Sequence, residues 1–254
     1  TVILKPAEWS PLSCSLLADL TVEAGFPPGV FNVVQGIGEE VGAALVSHPG
    51  VRRISFTGSP DTARHIGGAA AQNIVPFTGE LGGKGPNIVF EDANLQAAVN
   101  GSAWAIFHNQ GQACIAGSRL MLHEKIADAF LEQFIPLAKS IRLGNPLDEN
   151  TEMGPLTSAQ HRERVLSYVE VAQGEGGELL AGGKSPGGDL AKGCYVEPTV
   201  MRAKSCKDRV AQEEVFGPFV TVLTFKNDEE AMHIANGTDY GLVSGLLTNN
   251  LQRA

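Results

Sequence analysis

The sequence predicts an α/β protein in two parts, a parallel doubly wound sheet followed by a second α/β domain. Three observations predict it. Over the first eighty or so residues, short apolar runs alternate with single stretches of helical periodicity. Strands joined by single helices need right-handed crossovers, and therefore lie parallel. The character changes at Glu80-Leu81-Gly82-Gly83, beyond which longer amphipathic helices separate the apolar runs. The length, 254 residues with 43% hydrophobic and 19% charged, suffices for one large or two ordinary domains with a substantial core.

Taken in order, Val2-Ile3-Leu4 reads as a short strand. Ser10 offers an N-cap oxygen, Pro11 suits a first helical turn, and Leu12, Leu16, Leu17 and Leu20 recur at helical spacing. Gly25 and Pro27-Pro28 stop that helix, because glycine accepts a left-handed cap and proline cannot continue it. A strand at 31–34, a helix at 39–47, a strand at 53–57, a helix at 59–71 and a strand at 73–77 complete a pattern of the dinucleotide-binding kind. A domain boundary is placed near residue 82. After it come a strand at 87–90, a helix at 95–109 and a strand at 119–122. A strongly amphipathic helix is marked by Ile126, Phe130, Phe134, Leu137 and Ile141. A helix at 159–173 precedes a turn-rich stretch around Gly182-Gly183 and Gly187-Gly188. A strand at 220–225, a helix at 229–236 and a strand near 244–247 close the chain. No internal repeat is found. Thr1 begins inside a strand and Leu251 to Ala254 stop where a helix could begin, so an internal piece of a longer protein is expected.

Composition excludes several classes. A net charge of -9 and a pI of about 5.2 argue against nucleic-acid binding, which needs clustered Lys and Arg. No apolar run reaches the roughly 20 residues of a membrane helix, and the first residues do not read as a signal peptide. Cys14, Cys114, Cys194 and Cys206 form no CxxC pair and read as reduced thiols of a cytoplasmic protein. Six scattered histidines lack metal-ligand spacing, so no metal is expected.

Five motifs could carry chemistry. Gly36-Ile37-Gly38 lies between a strand and a helix, where glycines let a phosphate approach unpaired N–H groups. An ordinary turn fits it equally. Phe56-Thr57-Gly58-Ser59 repeats that geometry, with Ser59 read either as a plain N-cap or as a pyrophosphate contact. Glu80 is a carboxylate among apolar residues and glycines. In a partly dry cleft its pKa would rise to suit a general base, and a solvated loop acid is the other reading. Cys114 follows Asn109-Gln110-Gly111-Gln112-Ala113, amides and glycine that can form a tight loop aiming backbone N–H groups at one point. No histidine lies within the stretch from Asn109 to Arg119, so a Cys–His hydrolase pair is not indicated. Glu213-Glu214-Val215-Phe216-Gly217-Pro218 offers acids for ribose hydroxyls and a ring for a nicotinamide, or is simply a charged loop before a strand.

In their order these segments, with Lys5-Pro6-Ala7-Glu8, closely resemble the aldehyde dehydrogenase superfamily over essentially the whole chain. The 34-residue interval from Glu80 to Cys114 is similar too. The resemblance implies roles position by position. Lys5 and Glu8 hold the adenosine ribose, and Gly58 and Ser59 contact the pyrophosphate. Gly36 and Gly38 line the cofactor cleft. Glu80 is the general base and Cys114 the nucleophile. Glu214 binds the nicotinamide ribose, and Phe216 packs beside the nicotinamide. It further implies that residues 1–82 are the C-terminal part of a dinucleotide-binding domain and 83–254 an incomplete catalytic domain. The cofactor would be NAD, with NADP open, and the other partner a small aldehyde. The parent would be a homodimer or homotetramer. In the family the second oxyanion donor is an asparagine preceding the Lys5 segment. Losing one such donor costs about 100- to 1,000-fold, so the 254-residue chain alone is expected to turn over poorly or not at all. A CoA-acylating relative is the nearest rival, disfavoured because such enzymes typically lack the acid at Glu80. A non-catalytic relative of the same fold is disfavoured by the presence of both Cys114 and Glu80.

Overall fold

A computed structural model describes residues 1–254 as two compact units, Thr1–Leu81 and Gly82–Ala254. In the first, β1 (Val2–Leu4) crosses through α1 (Leu12–Glu23) to β2 (Phe31–Val33), which pairs with β1 in parallel. A π-helical turn (Gly38–Gly42) runs into α2 (Ala43–Ser47). The next crossover runs β3 (Ile54–Thr57), α3 (Pro60–Asn73), β4 (Phe77–Glu80), again parallel. The two crossovers form separate two-stranded ladders.

Two local expectations fail here. Ser10 does not cap α1: Pro11 occupies the cap position, where it has no side-chain acceptor to offer, and Ser10 lies one residue outside it with its N–H closing a turn to the Ala7 carbonyl. The strand expected at 73–77 lies later, at 77–80. Helix α3 runs to Asn73, and Ile74 caps it in the left-handed conformation (φ 52°), so the chain cannot extend until it has turned.

The second unit is built on one six-stranded sheet, order β10-β5-β6-β9-β8-β7. Its elements are β5 (Pro86–Val89), α4 (Leu95–Phe107), β6 (Arg119–His123), α5 (Glu124–Ser140) and α6 (Ala159–Gly174). β7 (Glu178–Ala181), β8 (Thr199–Arg202), α7 (Arg209–Gln212), β9 (Phe219–Phe225), α8 (Asp228–Ala235) and β10 (Gly245–Leu247) follow. All neighbours are parallel except the antiparallel β7–β8 pair at one edge. Central strands buried on both faces read as continuous apolar runs, and β6 and β9 do so. On one face α4 and α5 deliver Ile106, Phe107, Phe130 and Phe134 onto Val89, Leu120, Leu122 and Val222. On the other, Ala231 and Ile234 of α8 cover Ile88, Met121 and Leu223. A third cluster joins Val165 and Val169 of α6 to Met201 and Phe219. The sheet thereby fixes where the segments ahead of β6 and β9 are delivered.

Strands β7 and β8 fall in and beside the stretch that reads as turns. Gly182 and Gly183 are left-handed (φ 68° and 78°), and a Cβ on Gly182 would lie 2.2 Å from the Pro198 carbonyl oxygen. Those glycines make the turn that leaves β7, and their density hides the short strands either side of them. No helix is long and apolar enough to cross a membrane.

Candidate active site

Within the first unit, Lys5 extends its ammonium to the Pro6 and Gly36 carbonyls at 2.7 and 2.8 Å. Glu8 lies 3.7 Å from that ammonium and accepts the Gly38 N–H at 2.6 Å on Oε1. Hydrogen bonds from its own backbone and from Gly38 hold its carboxyl below the usual range, so it is ionised at neutral pH. Lys5, Glu8, Gly36 and Gly38 thus form one cluster. Gly36 cannot be replaced freely: its φ is 142°, and a Cβ would lie 2.3 Å from Val41 Cγ2.

Ser59 caps α3, accepting the Thr62 N–H at 3.2 Å. Gly58 donates its N–H to the Glu80 carbonyl at 3.0 Å, which ties the β3 turn to the end of β4. The Glu80 side chain is exposed. Its strand pairs on one side only, with β3, which leaves the end of β4 open.

In the second unit three segments converge. The first is Gly82-Gly83, ahead of β5. A Cβ on Gly82 would lie 2.3 Å from Glu214 Oε2, and one on Gly83 would lie 2.3 Å from the Cys114 carbonyl oxygen. The second segment is the loop between α4 and β6. Asn109, Gln110 and Gly111 are all left-handed (φ 50°, 58° and 67°), which turns the chain sharply before Cys114. Asn109 fastens the turn by donating its amide to the Gln112 carbonyl at 2.9 Å. Downstream, Ala116 N–H bonds back to Ala113 and Gly117 N–H to Ala105. None of these bonds uses the Cys114 N–H, and Cys114 itself is half-buried. The third segment is Glu213–Gly217, entering β9. Glu214 accepts the Gly83 N–H at 2.9 Å, and burial raises its pKa against the opposing pull of that bond and of Lys84.

Phe216 sits beside it with φ 60°, a left-handed residue that is not glycine. Gly111 would bring a Cβ within 2.0 Å of the Gly217 oxygen, so the second and third segments touch through backbone. Gly83, Gly111, Ala113, Ser118, Glu214 and Phe216 line a cavity of about 10 Å³, room for one water. Glu214 and Phe216 thus line one pocket with Ala113, the residue before Cys114, and Gly83 packs against both Glu214 and the Cys114 carbonyl.

Sequence reasoning missed two groups. Arg119, fully buried, donates to the carbonyls of Lys84, Ile234 and Ala235 at 2.7–2.8 Å. Lys84 is equally buried and its ammonium has no partner; burial, with the Arg119 charge second, brings its pKa down to about 7. Their sequence signal was slight, one cation opening a strand and one following the glycine pair.

The arrangement offers a thiol beside an unengaged backbone N–H, the elements of attack on a carbonyl with stabilisation of the resulting oxyanion. The model of the aldehyde dehydrogenase family matches residues 1–254. The chain is 46% identical over 253 residues to a betaine aldehyde dehydrogenase of Cereibacter sphaeroides, covering 100% of the chain and 52% of the relative. It is 43% identical over 251 residues to aminoaldehyde dehydrogenase 1, peroxisomal, of Malus domestica, covering 99% and 50%. Among solved structures it resembles PnpE in complex with nicotinamide adenine dinucleotide and PnpE from Pseudomonas sp. WBC-3, each at 62% identity over 100% of the chain and 52% of PnpE, with TM-scores of 0.98 and 0.97. It also resembles the NAD+ complex of betaine aldehyde dehydrogenase from Staphylococcus aureus, at 41% identity and a TM-score of 0.98, over 100% and 50%. The chain spans about half the length of these relatives. It belongs to the aldehyde dehydrogenase family.

Proposed function

We propose that the protein carrying this chain oxidises a small aldehyde to its carboxylic acid with NAD, using Cys114 as nucleophile and Glu80 as general base. The observation that carries the reading is the Cys114 loop, with its carbonyl packed on Gly83 and its N–H unengaged, beside Glu214 and Phe216. The residues present fit a dinucleotide. Gly38 and Lys5 both meet the ionised Glu8 at Oε1, which leaves Oε2 able to accept a ribose hydroxyl beside Lys5. Glu214 keeps one carboxylate oxygen for a second ribose, and the Phe216 ring is partly exposed. The NAD complexes of PnpE and of the Staphylococcus aureus enzyme support the same cofactor here. A carboxylate at Glu8 favours NAD over a 2′-phosphorylated cofactor by charge repulsion.

The Cys114 thiolate adds to the aldehyde carbon, and the new C–S bond pushes the carbonyl electrons onto oxygen. The Cys114 N–H donates to that oxyanion. The bound nicotinamide supplies the acceptor for the hydride that leaves the same carbon. Cys114 is then acylated as a thioester. Glu80 takes a proton from water, whose oxygen attacks the thioester carbon; the C–S bond breaks and the acid leaves with Cys114 restored. Splitting oxidation from hydrolysis divides one hard step into two.

The test is stopped-flow absorbance of reduced nicotinamide with the intact protein and an aldehyde panel that includes betaine aldehyde and aminoaldehydes. Cys114→Ala should give no signal. Glu80→Gln should give about one equivalent per site and then stall, since acylation survives and hydrolysis does not. Steady turnover by Cys114→Ala overturns the assignment of the nucleophile. Formation of acyl-CoA in place of acid, when CoA is added, overturns the hydrolytic half.

A further inference from the structure

Gln112, two residues ahead of Cys114, joins the nucleophile loop to a distant part of the second unit. Asn109 holds its backbone on both sides. The Gln112 N–H donates to the Asn109 carbonyl at 3.0 Å, and the Gln112 carbonyl accepts the Asn109 amide at 2.9 Å. The side chain then leaves the loop altogether. Its Oε1 accepts the Thr157 N–H at 3.0 Å, a link across 45 residues. The Gln110 amide packs on the same segment, since a Cβ on Gly154 would lie 3.5 Å from its nitrogen.

The segment that receives this bond is itself anchored. Met153 and Leu156 are buried. The Met153 N–H donates to the Arg142 carbonyl at 3.1 Å, and its carbonyl accepts the Gly144 N–H at 3.2 Å. The Leu156 N–H donates to the Cys194 carbonyl at 2.9 Å. On the far side of Cys114, the Gly117 N–H bonds to the Ala105 carbonyl of α4 at 3.1 Å. Cys114 is thus held between two fastenings, and the upstream one runs through the Gln112 side chain. Such a fastening has a purpose here. Asn109 and Gln110 carry a Cβ yet lie in the left-handed region, where a residue stays only when its surroundings over-determine it.

We propose that Gln112 is a positioning residue for the nucleophile. Its bond to the Thr157 N–H sets the pitch of the loop, so that the Cys114 sulfur and backbone N–H are presented together to the aldehyde. This rests on the reading of Cys114 as the nucleophile. Loss of the bond frees the upstream half of the loop while the Gly117 fastening remains, so the protein stays folded with its thiol misplaced. A displacement of about 1 Å at a reacting group is enough to slow chemistry by about 100-fold.

The experiment measures single-turnover formation of reduced nicotinamide on the intact protein with a fixed aldehyde, and NAD affinity by quenching of tryptophan fluorescence. Gln112→Met, of similar length but without an acceptor, should slow the single turnover by about tenfold, the worth of one hydrogen bond. NAD affinity should stay within about twofold. Gln112→Glu keeps an acceptor oxygen at the same reach and should recover most of the loss. Asn94→Ala removes a helix cap of comparable worth at the other end of α4 and should leave the rate within about twofold. If Gln112→Met does not fold, Gln112→Asn, one methylene shorter, takes its place with the same result expected. The proposal is overturned if the rate is unchanged, if Asn94→Ala slows it equally, or if Gln112→Glu fails as completely as Gln112→Met. Continued turnover by Cys114→Ala overturns the nucleophile reading and this proposal with it. An inactive Cys114→Ala beside an unimpaired Gln112→Met overturns this proposal alone.

Discussion

Replacing Gly83 by alanine tests the glycine frame most directly. The new methyl carbon would stand 2.3 Å from the Cys114 carbonyl oxygen, 3.4 Å from its carbon and 3.5 Å from Leu242 Cδ2. The close atom is backbone, so no side chain can swing aside, and ordinary van der Waals separation requires a shift of about 1 Å. Either the nucleophile loop retreats or β5 shifts outward. Overpacking of this kind costs about 1–3 kcal/mol, and a displacement of about 1 Å at a reacting group can cost about 100-fold in rate. The expected result for Gly83→Ala is thermal unfolding several degrees lower, and both turnover and iodoacetamide labelling of Cys114 changed far more than folding alone explains. Gly101→Ala is the control in the same unit. Gly101 lies inside α4 with nothing within 4 Å of its would-be Cβ, so alanine should stabilise by about 0.5–1 kcal/mol through helix propensity. If Gly83→Ala matches Gly101→Ala in melting temperature and turnover, the argument that these glycines set the position of Cys114 is wrong.

Other outcomes follow from the buried cations. Arg119→Met should strand the Lys84 and Ala235 carbonyls, at about 1–3 kcal/mol each before relaxation, and leave the Ile234 carbonyl only its bond from the Gly237 N–H, so that little folded protein remains at 37 °C by circular dichroism. Lys84 has a native pKa near 7 against an unfolded value of 10.5. Between these the unfolded chain binds the extra proton, so stability should rise with pH from about 7 upward, by at most about 1.4 kcal/mol per unit, levelling near the unfolded pKa. Lys84→Met should flatten that rise in urea midpoints measured at pH 7.5 and 9.5; an unaltered slope would contradict it. Asn94→Ala removes the acceptor for the Ala97 N–H at the start of α4 and should cost about 1 kcal/mol, read by urea unfolding.

What was legible in the sequence were features whose cause is local. The period of Ile126, Phe130, Phe134 and Leu137 gave α5, with Phe130 and Phe134 fully buried. Asn109 to Gln112 announced a tight turn, and the structure makes it with three left-handed residues. Features decided at a distance were not legible. The length of α3 was misjudged because its end depends on Ile74 adopting a left-handed cap, which its β-branched side chain argues against. The β7–β8 pair depends on partners outside its own glycine-rich stretch. Of the candidate site, Cys114 and Glu214 stand out in the sequence through the order of the motifs and the resemblance they carry. Their mutual support could not, because Gly83 meets Glu214 across 131 residues and Arg164 meets it across 50.

The run of left-handed residues from 109 to 111 also limits how this scaffold can be diversified. A library randomised across the nucleophile loop would return few folded members altered at these positions, since only glycine, and to a lesser degree asparagine or aspartate, adopts that backbone without penalty. Ala113 and Ile115, immediately flanking the thiol, carry no such restriction, and Ile115 is already 64% exposed. Variation in this loop is thereby channelled into two side chains, while the turn ahead of Cys114 stays fixed.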